Sequence, residues 1–268
     1  MITVTRDGHV ATVTLDRPAK RNALNPEFWE TFPQIIQGLD ADLEVRAIVL
    51  RGAGTCFSAG LDVPATMPWL PAQPGGPPDG AARTALHRLI RTMQESPTAL
   101  ERSRVPVVAA IHGPCIGAGL DIVTACDIRL ASADARFSVR ETRLAMVADV
   151  GTLQRLPAII GPGHARELVF TGEDFGAERA AALGLVNRVL PDAEALFEEA
   201  ARVARAIAAN PPLTVQGAKQ VLNEAVRYDT DRLLEYVATW NAGHIFTQDL
   251  AAAMTAFLTK QPQEFAGK

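Results

Sequence analysis

Residues 105–121 read VPVVAAIHGPCIGAGLD, an apolar run that passes into a glycine-rich turn and ends at a carboxylate. A second apolar run, Ala47 to Leu50, leads into a similar turn at residues 52–62, GAGTCFSAGLD. Short apolar runs that end at glycine-containing turns are typical of fully buried parallel strands. The two runs therefore predict an α/β core with a glycine turn after each of two strands.

The chain before these runs predicts a hairpin and a helix. Residues 10–15 alternate in polarity, and the preceding RDGH at residues 6–9 predicts a tight turn back to residues 2–4. Asn25 and Pro26 are typical of an N-cap and a first helical turn. The helix that follows has apolar residues at helical spacing, namely Phe28, Phe32, Ile35, Ile36 and Leu39.

A loop and a helix separate the two apolar runs. Pro64 to Gly80 is dense in proline and glycine and has no periodicity, which predicts an irregular loop or lid. Residues 83–102 predict a helix after it.

The C-terminal part of the chain is helical in pattern. Helical periodicity from Ala193 onward is broken at residues 210–212 and 228–231. The predicted organisation is an α/β core at residues 1–195 and a helical region at residues 196–268, whose helices pack on the core or on another subunit.

Composition excludes several classes of protein. The 268 residues are 48% hydrophobic and 21% charged, as in an ordinary globular protein. The formal net charge of -4 supplies no positive field for a polyanion, which argues against a general nucleic-acid binder. The most apolar stretch, Val105 to Ala125, is interrupted by prolines, glycines and Asp121, so it predicts buried core and no membrane span.

Cysteine usage and the chain termini predict a cytoplasmic protein. Cys56, Cys115 and Cys126 are few and scattered, with no CxxC spacing, which fits a reducing compartment. The N-terminal residues lack the pattern of a signal peptide, and the C-terminal residues 266–268, AGK, are not the peroxisomal tripeptide.

Common nucleotide and nucleophile motifs do not account for the glycine turns. Residues 52–54 lack the third glycine of a dinucleotide fingerprint, and no Walker lysine follows a glycine run. Ser58 is not in a nucleophile elbow, and no histidine has HExxH spacing. His112 directly follows a strand, and we interpret it as a structural hydrogen-bonding residue.

The glycine turns can instead bring backbone amides close to a ligand. Small residues permit this approach, and two converging N–H groups would form an oxyanion hole for a carbonyl whose neighbouring carbon loses a proton. The alternative is that both stretches are simply tight turns.

Three carboxylates in or near apolar stretches are candidates for proton transfer: Asp121, Glu141 and Asp149. Apolar surroundings raise a carboxyl pKa toward neutrality, where it serves as an acid or a base. Each has an alternative structural explanation: Asp121 favours a helix N-terminus, Asp149 caps a helix at residues 151–156, and Glu141 is solvated.

The two glycine turns, together with RNALN at residues 21–25 and DIR at residues 127–129, resemble the crotonase (enoyl-CoA hydratase/isomerase) superfamily over nearly the whole chain. The resemblance implies a spiral of ββα units, C-terminal helices that form trimers or hexamers, and coenzyme A thioester substrates. It implies that the amides of Leu61 and Ala118 hold the thioester carbonyl, and that no metal or redox cofactor is needed. Ala118 stands where the family usually has glycine, so its backbone must suit a Cβ.

The resemblance also implies which residues contact coenzyme A. Arg21 faces a phosphate by this analogy, whereas Arg17 and Lys20 are either part of the same contact or an exposed basic edge. Phe257 and Lys260 on the last helix are candidates to reach a neighbouring subunit's ligand. The full implied binding set is Arg21, Ala23, Ala59, Gly60, Leu61, Asp62, Gly117 and Ala118.

Within the superfamily, the dienoyl-CoA isomerases are the most similar group. The similarity lies in residues 111–121, 139–141, 148–157, 236–241 and 247–250. Hydratases have glutamates at the positions of Asp121 and Glu141 and hold a water between them, and they have glycine at the position of Asp149. The shorter Asp121 is less able to share that water, and Asp149 adds a second proton-transfer group.

The implied activity is a 3,5- to 2,4-dienoyl-CoA isomerisation in fatty acid β-oxidation. One carboxylate removes a proton from C2, the oxyanion hole holds the dienolate, and a second carboxylate delivers a proton to C6. By analogy Glu141 acts at C2 and Asp149 at C6, with the reverse assignment open, and Asp121 has a supporting role. The alternatives are an enoyl-CoA hydratase, a monounsaturated enoyl-CoA isomerase that needs only Glu141, and a non-catalytic or RNA-binding protein of this fold, against which the net charge argues.

Overall fold

The computed structural model describes residues 2–70, 80–225, 247–259 and 264–267. These residues form two sheets and ten α-helices. The strands are β1 (Ile2–Asp7), β2 (Val10–Leu15), β3 (Ala47–Gly52), β4 (Val107–Ile111), β5 (Pro114–Ile116), β6 (Ile128–Ser132), β7 (Arg136–Ser138), β8 (Phe175–Gly176) and β9 (Arg188–Leu190).

The helices lie between and after the strands. They are α1 (Pro26–Ala41), α2 (Val63–Thr66), α3 (Gly80–Arg102), α4 (Ala118–Thr124), α5 (Thr152–Ile160), α6 (Pro162–Thr171), α7 (Ala177–Ala182), α8 (Ala193–Ala208), α9 (Pro212–Ala225) and α10 (Gln248–Thr259). Three 3-10 turns accompany them, at Pro18–Lys20, Met67–Trp69 and Glu141–Leu144. None of the helices within the described ranges is both long and apolar enough to cross a membrane.

The larger sheet has six strands in the order β1-β2-β3-β4-β6-β9. Only β1 is antiparallel to its neighbour, and the other four pairings are parallel. A smaller sheet, in the order β5-β7-β8, lies beyond the ends of β4 and β6. Because the strands of a parallel sheet point the same way, the turns that follow β3 and β4 emerge at one edge.

The predicted N-terminal elements are confirmed. β1 and β2 pair as a hairpin around Gly8, which has a positive φ of 55°. The Asn25 side chain accepts a hydrogen bond from the Phe28 backbone N–H at 3.1 Å, so it caps α1 as the sequence predicts. Phe28 and Phe32 are fully buried against the sheet, where their rings stack.

The larger sheet is covered on both faces. α1 and α3 pack on one face in the main apolar cluster. α8 packs on the other face, where Leu196, Ala200 and Ala204 are fully buried against Val49 and Val108. Alanines four residues apart let this helix approach the strands closely. The prediction that a C-terminal helix packs on the core is therefore confirmed for α8, while a domain boundary after residue 195 stays a prediction.

The prediction of an irregular loop from Pro64 to Gly80 is wrong at its beginning. Residues 63–69 form α2 and a 3-10 turn, because Asp62 caps α2 by accepting from the Ala65 N–H and a proline lies in the first turn of each element. The predicted helix at residues 83–102 is confirmed and begins slightly earlier, at Gly80.

Several predictions lie outside the described residues. They are residues 71–79 of the predicted loop, the helix break at residues 228–231, the similarity at residues 236–241, the side chain of Phe257, and Lys260.

Candidate active site

The two glycine turns meet at one edge of the sheet. The Phe57 N–H donates to the His112 carbonyl at 2.7 Å, and the Ser58 and Cys115 backbones form a parallel bridge. The close contact requires glycine: a Cβ on Gly113 would lie 2.3 Å from the Thr55 carbonyl oxygen. We call these two stretches, residues 52–62 and 112–121, the amide turns.

Asn22 links the first amide turn to the loop that follows β2, a role that sequence reasoning missed. It is fully buried in a left-handed conformation with φ of 52°. Its Nδ2 donates to the carbonyls of Ala53 and Cys56, each at 2.8 Å, and its Oδ1 accepts from the Arg17 N–H at 2.9 Å. The signal in the sequence was the residue type, because asparagine tolerates the left-handed region and bonds neighbouring backbone.

The backbone amides of Leu61 and Ala118 are the predicted oxyanion donors. Across the described ranges, neither N–H donates to any protein acceptor. The turns bring these amides together, since a Cβ on Gly60 would lie 2.6 Å from the Ile116 carbonyl oxygen and 3.6 Å from the Ala118 nitrogen. Ala118 begins α4 and is not among the residues with positive φ, so its Cβ is accommodated.

A cavity of about 460 Å³ opens in front of these amides. Its polar lining includes all three predicted carboxylates, Asp121, Glu141 and Asp149, and its apolar lining was not predicted. Most of the large apolar side chains are contributed by α1, the α2 region, α3 and residues 144–150, with two more from the amide turns: Trp29, Leu61, Val63, Leu70, Leu86, Ile90, Met93, Ile116, Leu144, Met146, Val147 and Val150.

Asp121 lies in the first turn of α4 and is almost completely buried. Its Oδ1 accepts a hydrogen bond from the Thr152 N–H at 2.6 Å. Burial raises its pKa to about 6, despite this hydrogen bond, which lowers it. Asp121 thus caps the N-terminus of α5 from another part of the chain, while its own helix begins three residues before it.

Glu141 lies on a 3-10 turn beside Gly117. The left-handed Gly117, with φ of 51°, leaves room for the carboxylate, because a Cβ there would lie 3.0 Å from Glu141 Oε1. Within the described part of the chain, the buried Glu141 Oε2 has no hydrogen-bond partner. Burial first and the Asp121 charge second raise the pKa of Glu141 to about 7. The structure therefore does not support the interpretation of Glu141 as a solvated surface residue.

Asp149 lies at the rim of the cavity and is exposed. Partial desolvation of its carboxyl raises the pKa above the ordinary aspartate value. The structural alternative for this residue is wrong, because Gly151 occupies the N-cap position of α5 and the capping carboxylate is that of Asp121.

The predicted coenzyme A contacts divide into two groups. Ala59, Gly60, Leu61, Gly117 and Ala118 line the cavity.

Arg21, Ala23 and Asp62 are not among the lining residues. Arg21 is exposed next to the first amide turn, and Asp62 binds Arg17 at 2.5 Å, which holds the pKa of the Asp62 carboxyl below its usual range. Arg17 also donates to the Ala23 carbonyl at 3.1 Å, so its side chain links Ala23 to Asp62.

His112 has the structural role predicted for it. It is buried, its Nε2 lies 3.0 Å from the Gly54 carbonyl oxygen, and its ring packs edge-on against Phe197. Desolvation lowers its pKa. In the part of the chain that the structure describes, no group of three His, Cys, Asp or Glu residues is arranged to hold a metal ion.

Within the described residues, two amides without an acceptor share one cavity with carboxyls whose pKa values are near neutrality. Such an arrangement suits proton transfer next to a carbonyl group. The chain belongs to the enoyl-CoA hydratase/isomerase family, whose model matches residues 5–268.

Named relatives support the same family. The chain is 40% identical to a peroxisomal Δ3,5-Δ2,4-dienoyl-CoA isomerase of Arabidopsis thaliana, over 97% of this chain and 94% of that protein. It is 33% identical to a short-chain-enoyl-CoA hydratase of Clostridium acetobutylicum, over 97% and 95%. A crystal structure of enoyl-CoA hydratase from Bacillus anthracis superposes with a TM-score of 0.89 at 30% identity, covering 100% of this chain and 99% of that one. The predicted crotonase fold is thus confirmed.

Proposed function

We propose that this protein isomerises 3,5-dienoyl-CoA thioesters to 2,4-dienoyl-CoA thioesters. The observation that carries the proposal is that Glu141 and Asp149 line the same largely apolar cavity as the amides of Leu61 and Ala118, which donate to no acceptor among the described residues. The cavity suits an acyl chain, and the amides suit the thioester oxygen. The similarity to the Arabidopsis thaliana isomerase supports the same assignment.

The amides of Leu61 and Ala118 would stabilise the charge that develops during the reaction. The thioester oxygen accepts from both N–H groups, and its negative charge grows when the C2–H bond breaks. The electron pair of that bond is delocalised over the carbonyl and both C=C bonds. Removing one such donor typically costs about 10²–10³ in rate.

Glu141 and Asp149 would move the protons. In the direction we favour, the ionised Glu141 takes the C2 proton and the protonated Asp149 gives a proton to C6. The double bonds shift from C3 and C5 to C2 and C4, and the next turnover needs the proton returned from Glu141 to Asp149. A pKa of about 7 lets Glu141 exchange a proton at neutral pH, and partial desolvation raises the pKa of Asp149 above the ordinary aspartate value.

Asp121 supports the isomerase assignment over hydration. A hydratase on this scaffold holds a water between carboxylates at positions 121 and 141. Here one oxygen of Asp121 is already occupied by the Thr152 N–H. We assign Asp121 a supporting role, in which its charge raises the pKa of Glu141 and its hydrogen bond orders the start of α5.

The binding, assembly and location of the protein are parts of the same proposal. Coenzyme A would lie along the predicted contact residues, from the cavity to Arg21. By family resemblance, the C-terminal helices would form a homotrimer or a pair of trimers. The three free, buried cysteines support a reducing compartment such as the cytoplasm.

Ultraviolet absorbance with two substrates tests the function. With 3,5-octadienoyl-CoA we expect growth of the conjugated 2,4-dienoyl absorbance, and with crotonyl-CoA we expect no hydration. Hydration of crotonyl-CoA without a diene shift would replace the isomerase assignment by a hydratase. Salt-sensitive RNA binding without turnover of either thioester would indicate a binding protein of this fold.

A further inference from the structure

α3 contacts both the cavity and the backbone of Asp149. Leu86, Ile90 and Met93 line the cavity, and their spacing of four and three residues places them on one helix face. Gln94 follows directly, and its Nε2 donates to the Asp149 carbonyl oxygen at 2.6 Å. α3 therefore borders the proposed space for the acyl chain and also holds the backbone of Asp149, the residue proposed to protonate C6 of that chain.

A neighbouring arginine fixes the orientation of the Gln94 amide. Arg91 Nη1 donates to Gln94 Oε1 at 2.8 Å. Because a guanidinium group only donates, the oxygen of the amide must face Arg91 and the nitrogen must face Asp149. The Gln94 side chain is thus a directed donor.

A second contact holds the far end of the same segment. Glu101 lies seven residues after Gln94, two helical turns away on the same side of α3. Its Oε2 accepts from Arg155 Nη2 at 2.5 Å and from Arg155 Nε at 3.1 Å. The Arg155 guanidinium occupies the space beside Gly151, where a Cβ would lie 1.9 Å from Nη1. Residues 149–155 are therefore held against α3 at both ends.

We propose that Gln94 is a positioning residue for the Asp149 carboxyl. The inference rests on the proposed function, because it concerns the group assigned to proton transfer. Asp149 lies between the 3-10 turn of Glu141 and α5, and among the described residues the Gln94 side chain is the one that hydrogen-bonds its carbonyl. Loss of this bond frees the backbone at residue 149 while the amide turns stay in place.

The first test replaces Gln94 by a side chain of similar length without a donor. For Gln94→Met we expect kcat with 3,5-octadienoyl-CoA to fall about tenfold to a hundredfold, because displacement of a reacting group by about 1 Å has effects of this size. KM should change by less than about twofold, since Gln94 does not line the cavity. Gln37→Met, at an exposed position on α1, is the matched control and should retain the full kcat.

A double-mutant cycle separates positioning from general damage. In the Asp149→Asn background, Gln94→Met should cause less than about a twofold further loss, because the group that it positions is gone. A full additional loss in that background, or a rise in KM with unchanged kcat, would overturn the inference and leave the proposed function intact. A wild-type protein without isomerase activity would instead remove both.

Discussion

The two sides of the cavity are built in different ways. The amide turns are held by backbone contacts, and Ser58 and Cys115 at their bridge are 0% exposed. The segment that carries the two proposed proton-transfer groups, residues 141–149, is a 3-10 turn and a loop in which Leu144 and Val147 are 53% and 73% exposed. We call it the carboxylate segment.

This difference means that the stability of the fold and the choice of reaction depend on different parts of the cavity wall. The proposed oxyanion donors are main-chain groups, so their positions depend on the close packing of the turns, which glycine at positions 60 and 113 permits. The proposed proton-transfer groups are side chains, and they lie on a segment that contributes little to the core. Substitutions on the carboxylate segment can therefore change the reaction without unfolding the protein, whereas substitutions in the amide turns affect both.

The largest expected effect is on the carboxylate segment. Asp149→Asn should lower kcat for isomerisation by about 10²–10⁴-fold, because an amide cannot deliver or accept the proton. The midpoint of thermal unfolding should stay within a few degrees, since Asp149 is exposed and caps no helix. Retention of the isomerase rate would refute the two-carboxylate mechanism. A large loss of stability would show that the carboxylate segment also contributes to the stability of the fold.

Hydrogen exchange in the Glu141→Gln and Asp149→Asn variants tests which carboxyl acts at C2 and which acts at C6. If Glu141 takes the C2 proton, this variant should lose exchange of the C2 hydrogens with deuterated solvent, and Asp149→Asn should keep it. The opposite pattern would establish the reverse assignment. Mass spectrometry of recovered substrate gives the exchange.

Gly60→Ala should lower both the stability of the protein and the isomerase rate. Gly60 has φ of 90°, and an added Cβ would lie 2.6 Å from the Ile116 carbonyl oxygen. We expect a loss of about 1–3 kcal/mol in the free energy of unfolding. Displacement of the neighbouring Leu61 amide should lower kcat by about 10²–10³-fold. Denaturant unfolding and steady-state kinetics check the two effects; Gly38→Ala on α1, where a Cβ meets nothing within 4 Å, is the control.

The pH dependence should show how the buried Asp121 influences the carboxylate segment. A base whose pKa is about 7 is protonated below that pH, so kcat/KM should fall up to tenfold for each unit of decreasing pH. Asp121→Asn removes a negative charge that opposes ionisation of Glu141, while its amide oxygen can still accept from the Thr152 N–H. The acidic limb should therefore move to lower pH, with a smaller loss of rate than in Asp149→Asn. An unmoved limb would show that Asp121 does not act on Glu141.

The smallest expected effect lies outside the cavity. Arg21→Gln should raise KM for the acyl-CoA by about two- to tenfold at low salt with little change in kcat, since an exposed ion pair is weak and screened. Arg166→Gln, at an exposed position on α6, is the control. Equal KM values for the two variants would remove Arg21 from the proposed binding set.

Much of the fold was predictable because it depends on local patterns. The hairpin at residues 2–15, the cap at Asn25 and the apolar strands β3 and β4 each have a signature within a few residues. The irregular loop predicted at Pro64 was wrong because prolines that suggest a break also suit the first turn of a helix.

The site was only partly predictable, because several of its contacts join distant parts of the chain. The sequence identified all three carboxyls and both amide turns as candidates. It did not reveal that Asp121 caps α5, that Asn22 ties the first turn, or that Gln94 holds the Asp149 backbone. These contacts span 31, 34 and 55 residues, and no periodic pattern encodes them.

The sequence by itself determined the α/β class, the glycine turns and the carboxyl residues proposed to transfer protons. It did so because strand polarity, glycine and carboxyl chemistry are properties of single residues and short stretches. Only the tertiary structure decided that the pKa values of Glu141 and Asp121 lie near neutrality. It alone also decided that the Leu61 and Ala118 amides, which line the same cavity, donate to no acceptor in the described part of the chain. A pKa depends on burial and neighbouring charge, and a free amide depends on the absence of an acceptor nearby. Both conditions exist only after the folded chain has brought the amide turns and the carboxylate segment around one cavity.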